Sequence, residues 1–543
     1  MTVTADAPAA APASESTAPR PAPSGLAGVL GSGDHKVVGR LWLVAGLTHL
    51  LLVGAISVLL SAERIDPATL SIFGSDTLVQ ADTFRFIAGI FLAVVPLTIA
   101  LATVIVPLQV GASTIAFPRA AAAAAWGYLI GGGLLLGAYA IDGGPGGTDR
   151  DGVVLFVVAF GLVLVALTVA WISIATTVLA LRAPGMRLAR VPLFAWSTLV
   201  AGSVWILTLP VLAGLAVLSY LDARYAGFIG GGEGSLYARI AWAFGTPSIY
   251  VLAIPVVGFV GSVVPVAAQT RHHLHRVALG LIGAIGVLSV GVWTIPNLGG
   301  TLPWLYEGPW IAVSIAAIVP LLGLVGLWGA TVRAGRVVLS SPLLFAVVAA
   351  LLALLGLAAG AAQAIKPLKT LVDGGSTPLY GTSWSTGVTA LLLLAGATAA
   401  LGGIVYWAPK LLGARVHEGG ARLVALLVLV GSGIGCIAQL AAGLLGEPGP
   451  AVLGATDNLD AIKSLDTAVT VGDGILGLAG LLFVLLVLRA AFRSDDVGDD
   501  PWSGHTLEWA TASPPAPGNF ASVPAITSEA PLYDVRHAQG ADA

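Results

Sequence analysis

The sequence has little charge, one cysteine and two methionines. Charged residues make up 10% of its 543 positions, against roughly 25% in soluble domains, so most of the chain must lie in lipid. The single cysteine, Cys436, excludes an internal disulfide and a cysteine-based zinc site, and we interpret it as a small packing residue in an apolar segment. The net charge of −3 argues against a nucleic-acid partner.

Apolar runs dominate what is present. A transmembrane helix needs about 20 apolar residues, and 57% of this chain is hydrophobic. The predicted spans are 41–62, 83–107, 117–141, 152–181, 192–221, 237–267, 276–298, 308–331, 341–365, 380–408, 420–445 and 466–492. We therefore predict an all-α integral membrane protein with twelve transmembrane helices in a lipid bilayer, whose 70 glycines allow close helix contacts.

The lysines and arginines predict an orientation. Sixteen of them fall on one side of the predicted spans and eight on the other, so both termini are predicted to be cytoplasmic. The Ala- and Gly-rich, Lys-poor composition indicates a bacterium of high GC content, and hence a bacterial plasma membrane.

The spans also divide the chain. Residues 1–32 are rich in Ala, Pro and Ser and are predicted to be a disordered tail, and residues 33–493 form the transmembrane domain. Residues 494–543 form a cytoplasmic C-terminal tail, whose acidic and Pro-rich composition predicts disorder when taken alone.

Several ordered motifs carry a resemblance to a known family. In the sixth span the chain reads Gly245-Thr246-Pro247-Ser248-Ile249-Tyr250. The other matching stretches are 34–36, 106–112, 116–119, 182–186, 192–196, 406–410, 500–502, 506–511 and 513–515. Together they resemble subunit I of the haem–copper oxidases, the cytochrome c oxidase family, whose sixth span reads Gly-His-Pro-Glu-Val-Tyr. The resemblance implies a twelve-helix bundle of the cytochrome c oxidase subunit I type.

The resemblance also implies where metal ligands would lie. The family holds one haem between two histidines, a second haem by one histidine, and copper by three. Counted from the motifs, the six positions hold Arg85, Thr246, Ile295, Pro296, Gly387 and Thr389. None is a histidine, and a guanidinium has no lone pair for iron. We therefore expect no haem or copper, although the family uses two haems and a copper.

Few other side chains could ligate haem iron or copper within the membrane. His49 is the only histidine within a predicted span, and it is either a hydrogen-bonded packing residue or a lone axial ligand. The other seven histidines are predicted in loops or tails, including a cluster at 271–276 that is a solvated loop or a weak site for metal or lipid phosphate. Tyr250 has no copper-bound histidine beside it, so we interpret it as a helix-packing residue.

Two charges within spans need an explanation. Arg85 and Asp473 are predicted a few residues from the outer ends of their spans. They are either two interfacial charges or a charge pair or ion site in the space left by haem. A large dry void is costly, so we expect that space to collapse, with Phe86, Trp384 and Ile295 filling part of it, or to hold lipid or quinone.

The sequence leaves three alternative hypotheses about function. The chain is a redox-inactive subunit I relative with a structural, assembly or regulatory role near the respiratory chain. Alternatively, it binds or conducts a quinone, lipid or ion through the vacated cavity. As a third alternative, it is a respiratory oxidase subunit, as family similarity implies, although the missing ligands leave oxygen reduction without a route. The family implies subunits II and III as partners.

Overall fold

A computed structural model gives the architecture of the chain. It describes residues 25, 28, 31–65, 72–225, 251–294, 303–364, 379, 382–449, 459–493 and 497–541. Within these ranges the fold is helical and no strand occurs beyond one isolated bridge between Thr382 and Pro448. Thr246, Tyr250, Ile295 and Pro296, and most of the predicted N-terminal tail, lie outside the described residues.

Twelve helices follow one another as the hydropathy predicts. They are α1 (His35–Ile65), α2 (Ser75–Ile87, Ala88–Val94 and Val95–Gln109), α3 (Pro118–Ala140), α4 (Arg150–Ala180), α5 (Leu193–Arg224), α6 (Val251–Ala267), α7 (His275–Thr294), α8 (Pro303–Ala316 and Ile318–Ala334), α9 (Ser341–Ala364), α10 (Ser383–Leu412), α11 (Glu418–Leu444) and α12 (Leu459–Ala491). In the described part of the chain, ten helices are long and apolar enough to cross a membrane, and the described parts of α6 and α7 are shorter apolar helices. The predicted all-α membrane fold is confirmed.

Local sequence explains several helix ends. The Asp149 carboxylate accepts a hydrogen bond from the Gly152 amide and so caps the start of α4. The Thr382 hydroxyl does the same for Trp384 at the start of α10. Gly413 ends α10 in the left-handed region at φ 75°, which glycine adopts without strain.

The core of the bundle is α2 with α10. In the most apolar stretch of α2 every residue is buried, and in that of α10 78% of the residues are buried. The other long helices keep one face exposed. Residues 88–94 of α2 form a π-helical segment, which inserts a wide turn at the centre of the bundle. We call the end of the bundle where α2, α10 and α12 begin the distal end, and the opposite end, where α2 and α10 finish, the terminal end.

Glycines let α11 and α12 approach closely. A Cβ built on Gly472 of α12 would lie 2.5 Å from the Gly435 amide nitrogen and 2.7 Å from the Gly431 carbonyl oxygen of α11. These contacts are with backbone, so no side-chain rotation relieves them. The predicted small-residue packing of the helices is confirmed at this crossing.

We expect Gly472→Ala to destabilise the protein by about 1–3 kcal/mol, because the two helix backbones must move apart. The matched control is Gly474→Ala on the same helix, since a Cβ there meets no atom within 4 Å. Thermal unfolding of both variants in one detergent measures the difference. Equal stability of the two would contradict the close crossing.

The C-terminal segment, residues 497–541, packs against the terminal end of the bundle. Glu508 is fully buried and accepts hydrogen bonds from Gln109 Nε2 at 2.9 Å and Trp407 Nε1 at 3.3 Å. Lys410 donates to the Thr511 carbonyl oxygen at 2.5 Å, and helix α13 (Pro531–Ala541) follows. The disorder predicted from composition alone is therefore wrong, because buried polar contacts and aromatic packing fix the segment.

Candidate functional site

A cavity of about 650 Å³ lies between α1, α2, α10, α11 and α12. Its size is within the range of small-molecule sites, about 300–1,000 Å³. Leucines, valines, alanines and glycines line most of it, including Leu50, Leu393 and Leu401. Of the two expectations for this space, collapse or occupation by lipid or quinone, a cavity of this size favours the second.

The polar lining side chains gather towards the distal end. Thr386 and Thr389 stand in the first two turns of α10, and Gln439 stands in the second-last turn of α11. Arg85 of α2 and Asp473 of α12 line the same cavity. The cavity thus has a polar head region, and the rest of its lining is mostly apolar.

Arg85 lies deeper in its helix than the sequence predicted. Its helix begins at Ser75, before the predicted span, so Arg85 is about 15 Å along the axis from the start of the helix. The guanidinium pairs with Asp82 on the same helix, Nη2 to Oδ1 2.9 Å, and the Arg85 side chain is only 18% exposed. The charge is thus matched inside the bundle.

Asp473 also lies deeper than the sequence predicted. Because α12 begins at Leu459, Asp473 is about 21 Å from the start of its helix and does not begin it. The Ser61 hydroxyl lies beside the Asp473 carboxylate, and the positive charge of Arg85 acts on it. Cys436, buried as predicted, also lines the cavity.

Thr389 and Gly387 meet different surroundings. The Thr389 hydroxyl donates to the Ser385 carbonyl oxygen at 3.0 Å, and its side chain lines the cavity. A Cβ on Gly387 would lie 2.9 Å from Leu440 Cδ2, so Leu440 of α11 fills the space beside that position. Phe86 lines the cavity, whereas Trp384 turns away and donates its Nε1 proton to Ala359 O at 3.0 Å.

His49 lies outside the cavity lining, in a hydrogen-bonded contact between α1, α2 and α3. Its Nδ1 is 2.8 Å from Ala45 O and 3.2 Å from the Tyr128 hydroxyl. That hydroxyl donates to Leu92 O at 2.6 Å, so the proton between His49 and Ala45 belongs to Nδ1. These are the bonds of a helix-packing histidine.

Several histidines predicted in loops are buried. His35 is the first residue of α1 and bonds Thr103 O and Asn519 Oδ1, each at 3.0 Å. In the 271–276 cluster, His272 and His275 are each 9% exposed, so the solvated-loop interpretation is wrong for these two. Burial lowers the pKa of His272 to about 4. Across the described residues no three His, Cys, Asp or Glu side chains form a metal-sized group.

Sequence reasoning missed two buried charged groups. At the distal end Arg64 donates to Glu447 and lies 3.5 Å from Asp466, joining α1 to the α11–α12 connection and α12. At the terminal end burial raises the pKa of Glu508, whose Oε2 has no hydrogen-bond partner. The only sequence signals were the acids around 447–466 and the motif at 506–511.

Twelve apolar helices, five of which surround a ligand-sized cavity, define a multi-pass membrane protein. The sequence model of the family described as Cytochrome C and Quinol oxidase polypeptide I matches residues 37–475. The chain belongs to this family, the cytochrome c oxidase subunit I family, and the predicted resemblance is confirmed.

Relatives match over nearly the whole chain. A sequence assigned as cytochrome c oxidase subunit 1-beta in Streptomyces coelicolor is 29% identical, over 93% of this chain and 89% of its own. Cytochrome c oxidase subunit 1 of Synechocystis is 28% identical, over 91% and 90%. A solved haem–copper terminal oxidase shares the fold, with a TM-score of 0.69 at 15% identity over 92% of this chain and 89% of its own.

Proposed function

We propose that this chain is a redox-inactive subunit I relative that binds neither the family's haems nor its copper. It serves a structural, assembly or regulatory role near the respiratory chain. One observation carries the proposal. Arg85 of α2 and Thr389 of α10, which stand at aligned positions of haem-ligating histidines, line the same cavity, and neither supplies an imidazole.

The donors that are present do not fit a haem. An arginine guanidinium has no lone pair, and Arg85 is already paired with Asp82. The Thr389 hydroxyl donates to the Ser385 carbonyl oxygen and is a poor ligand for iron beside imidazole or thiolate. Leu440 occupies the space next to Gly387, which also stands at the aligned position of a haem ligand. Thr246, Ile295 and Pro296 at the copper positions carry no imidazole either.

The proposal also covers the orientation of the protein in the membrane, its domains and its partners. By the charge rule both termini are cytoplasmic, in a bacterial plasma membrane. The polypeptide divides into the tail 1–32, the transmembrane domain 33–493 and the cytoplasmic C-terminal tail 494–543. Association with oxidase subunits like II and III follows from family membership. A second candidate function is binding of a small ligand, which the 650 Å³ cavity favours.

Purified protein, expressed with added haem precursor, is expected to show no Soret absorption and no stoichiometric iron or copper. An oxidase-deletion strain carrying this gene alone is expected to stay without oxygen reduction. The control is a family member with all six histidines, prepared in parallel. A Soret band at one haem per chain, or restored respiration, would establish the third alternative, a working oxidase subunit.

A further inference from the structure

We infer that the cavity binds a monovalent organic cation with an apolar body, whose positive charge lies beside Asp473 in the head region. This assignment rests on the proposed function, because a haem held between α2 and α10 would occupy the same space. The charged lining residues decide the sign of the ligand, and the size and apolar lining of the cavity decide its chemical class.

Asp473 gives the cavity wall a negative charge that no neighbouring cation pairs with. Of the described residues that line the cavity, only Arg85 and Asp473 are charged. The Arg85 guanidinium is held by Asp82 on its own helix, with Nη2 2.9 Å from Oδ1. Among the described residues no basic group lies within salt-bridge distance of the Asp473 carboxylate, and Arg85 acts on it from farther away. With all three groups ionised, one positive and two negative charges sum to −1.

This charge balance selects a cation. A carboxylate inside a membrane protein is costly unless a positive charge or water compensates it. A neutral ligand would leave the Asp473 carboxylate as it is, and an anionic ligand would add a second uncompensated negative charge. A ligand with one positive charge brings the head region to neutrality.

The lining indicates an organic cation and not a bare metal ion. A hard metal ion takes about six or more oxygen ligands at short distance. In the part of the chain that the structure describes, no three His, Cys, Asp or Glu side chains surround a metal-sized space. The cavity of about 650 Å³ is also far larger than an ion, and its size is that of a small-molecule site.

The other lining residues suit the two parts of such a ligand. The apolar body would contact the leucines of α10, including Leu393 and Leu401. Near Asp473, the oxygens of Thr386 and Gln439 can accept hydrogen bonds from the N–H groups of a protonated amine. Phe86 adds an aromatic ring to the lining, and such rings attract cations.

The test measures binding of tetraphenylphosphonium to the purified full chain in phosphatidylcholine nanodiscs, with binding to empty discs subtracted. Tetraphenylborate, which has nearly the same size and the opposite charge, is the control ligand. We expect one saturable tetraphenylphosphonium site per chain and an affinity for tetraphenylborate that is at least about 100-fold lower. The cation site would be overturned by comparable saturable binding of both ions, or by the absence of saturable tetraphenylphosphonium binding.

Variants of Asp473 locate the site. Asp473→Asn keeps the shape and removes the charge, so the affinity for tetraphenylphosphonium should fall at least about tenfold. Asp473→Glu keeps the charge and should stay within about threefold of wild type. The matched control is Asp460→Asn, the same change on the same helix at an exposed position outside the lining, which should bind as wild type does.

Three results would count against these assignments in different ways. Wild-type affinity in Asp473→Asn, or an equal loss in Asp460→Asn, would show that Asp473 does not hold the cation. Circular dichroism of each variant should keep the wild-type helix content, so that a loss of binding is not a loss of fold. A Soret band in the wild-type protein would refute the proposed function, whereas haem-free protein without tetraphenylphosphonium binding would refute the cation site alone.

Discussion

Replacing Arg85 and Thr389 together by histidine is expected to create a haem protein. Both residues line one cavity, so we expect the two new imidazoles to reach one haem iron, and neutral imidazole is the nitrogen ligand that haem iron accepts. Because Arg85→His removes the partner of Asp82, the variant also carries Asp82→Asn. With haem supplied during expression, we expect about one haem per chain and the spectrum of a six-coordinate, bis-histidine iron.

The control moves one histidine along the same helix. Thr398 also lines the cavity and also donates to a carbonyl four residues earlier, that of Leu394 at 2.6 Å. It lies nine residues beyond Thr389, about 13.5 Å along α10, so a histidine there cannot share a haem iron with position 85. Arg85→His with Thr398→His and Asp82→Asn should show no bis-histidine spectrum. Equal haem in both proteins, or none in either, would show that Arg85 and Thr389 do not mark the haem site.

Hydropathy predicted the helices well because membrane physics leaves little choice. Backbone groups in lipid must bond within their own helix, so each long apolar run becomes one. Helix α10 illustrates this, since the run 380–408 corresponds to Ser383–Leu412. Helix α2 begins about two turns before the predicted span. Its first turns contain the polar residues Thr77, Gln80 and Asp82, so hydropathy does not detect them. The distance of Arg85 from the start of its helix was missed with them.

The sequence predicted a space left by haem, but it did not show which helices line that space. Its walls come from α1, α2, α10, α11 and α12, which lie far apart in the chain, and no local pattern reports their spacing. The π-helical segment 88–94 changes the direction in which the preceding residues of α2 face, and only Gly89 within it departs from an ordinary apolar run. The family alignment identified positions 85 and 389, and the structure brings them to one cavity.

The C-terminal segment was misjudged from composition for a related reason. Acidic residues and prolines predict disorder only when the segment has no buried partners. Here the partners are on α2 and α10: Gln109 and Trp407 hold Glu508, and Lys410 reaches the backbone of the segment. Lys410 is therefore the side chain on which the attachment of the segment most depends.

We expect Lys410→Met to release the C-terminal segment from the bundle. The ammonium is fully buried and donates to Asp499 O at 2.9 Å, Thr511 O at 2.5 Å and Ser513 Oγ at 3.1 Å. Methionine has a similar length but donates nothing, and each buried acceptor left unpaired costs about 1–3 kcal/mol. Chymotrypsin cleavage near Trp502 and Trp509 should therefore accelerate on the order of 100-fold, followed by mass spectrometry.

The matched control is Arg415→Gln. Arg415 also joins the bundle to the segment, but its guanidinium lies over the Trp502 ring at 4.5 Å on the exposed surface. Such a contact is worth about 0.5–1 kcal/mol, so cleavage should rise by less than about tenfold. Circular dichroism of both variants should keep the wild-type helix content, because α1–α12 do not depend on the segment for their backbone bonds. If Lys410→Met resists protease as wild type does, the buried ammonium does not hold the segment, and the aromatic contacts of Tyr406 with Trp502 and Trp509 must do so instead.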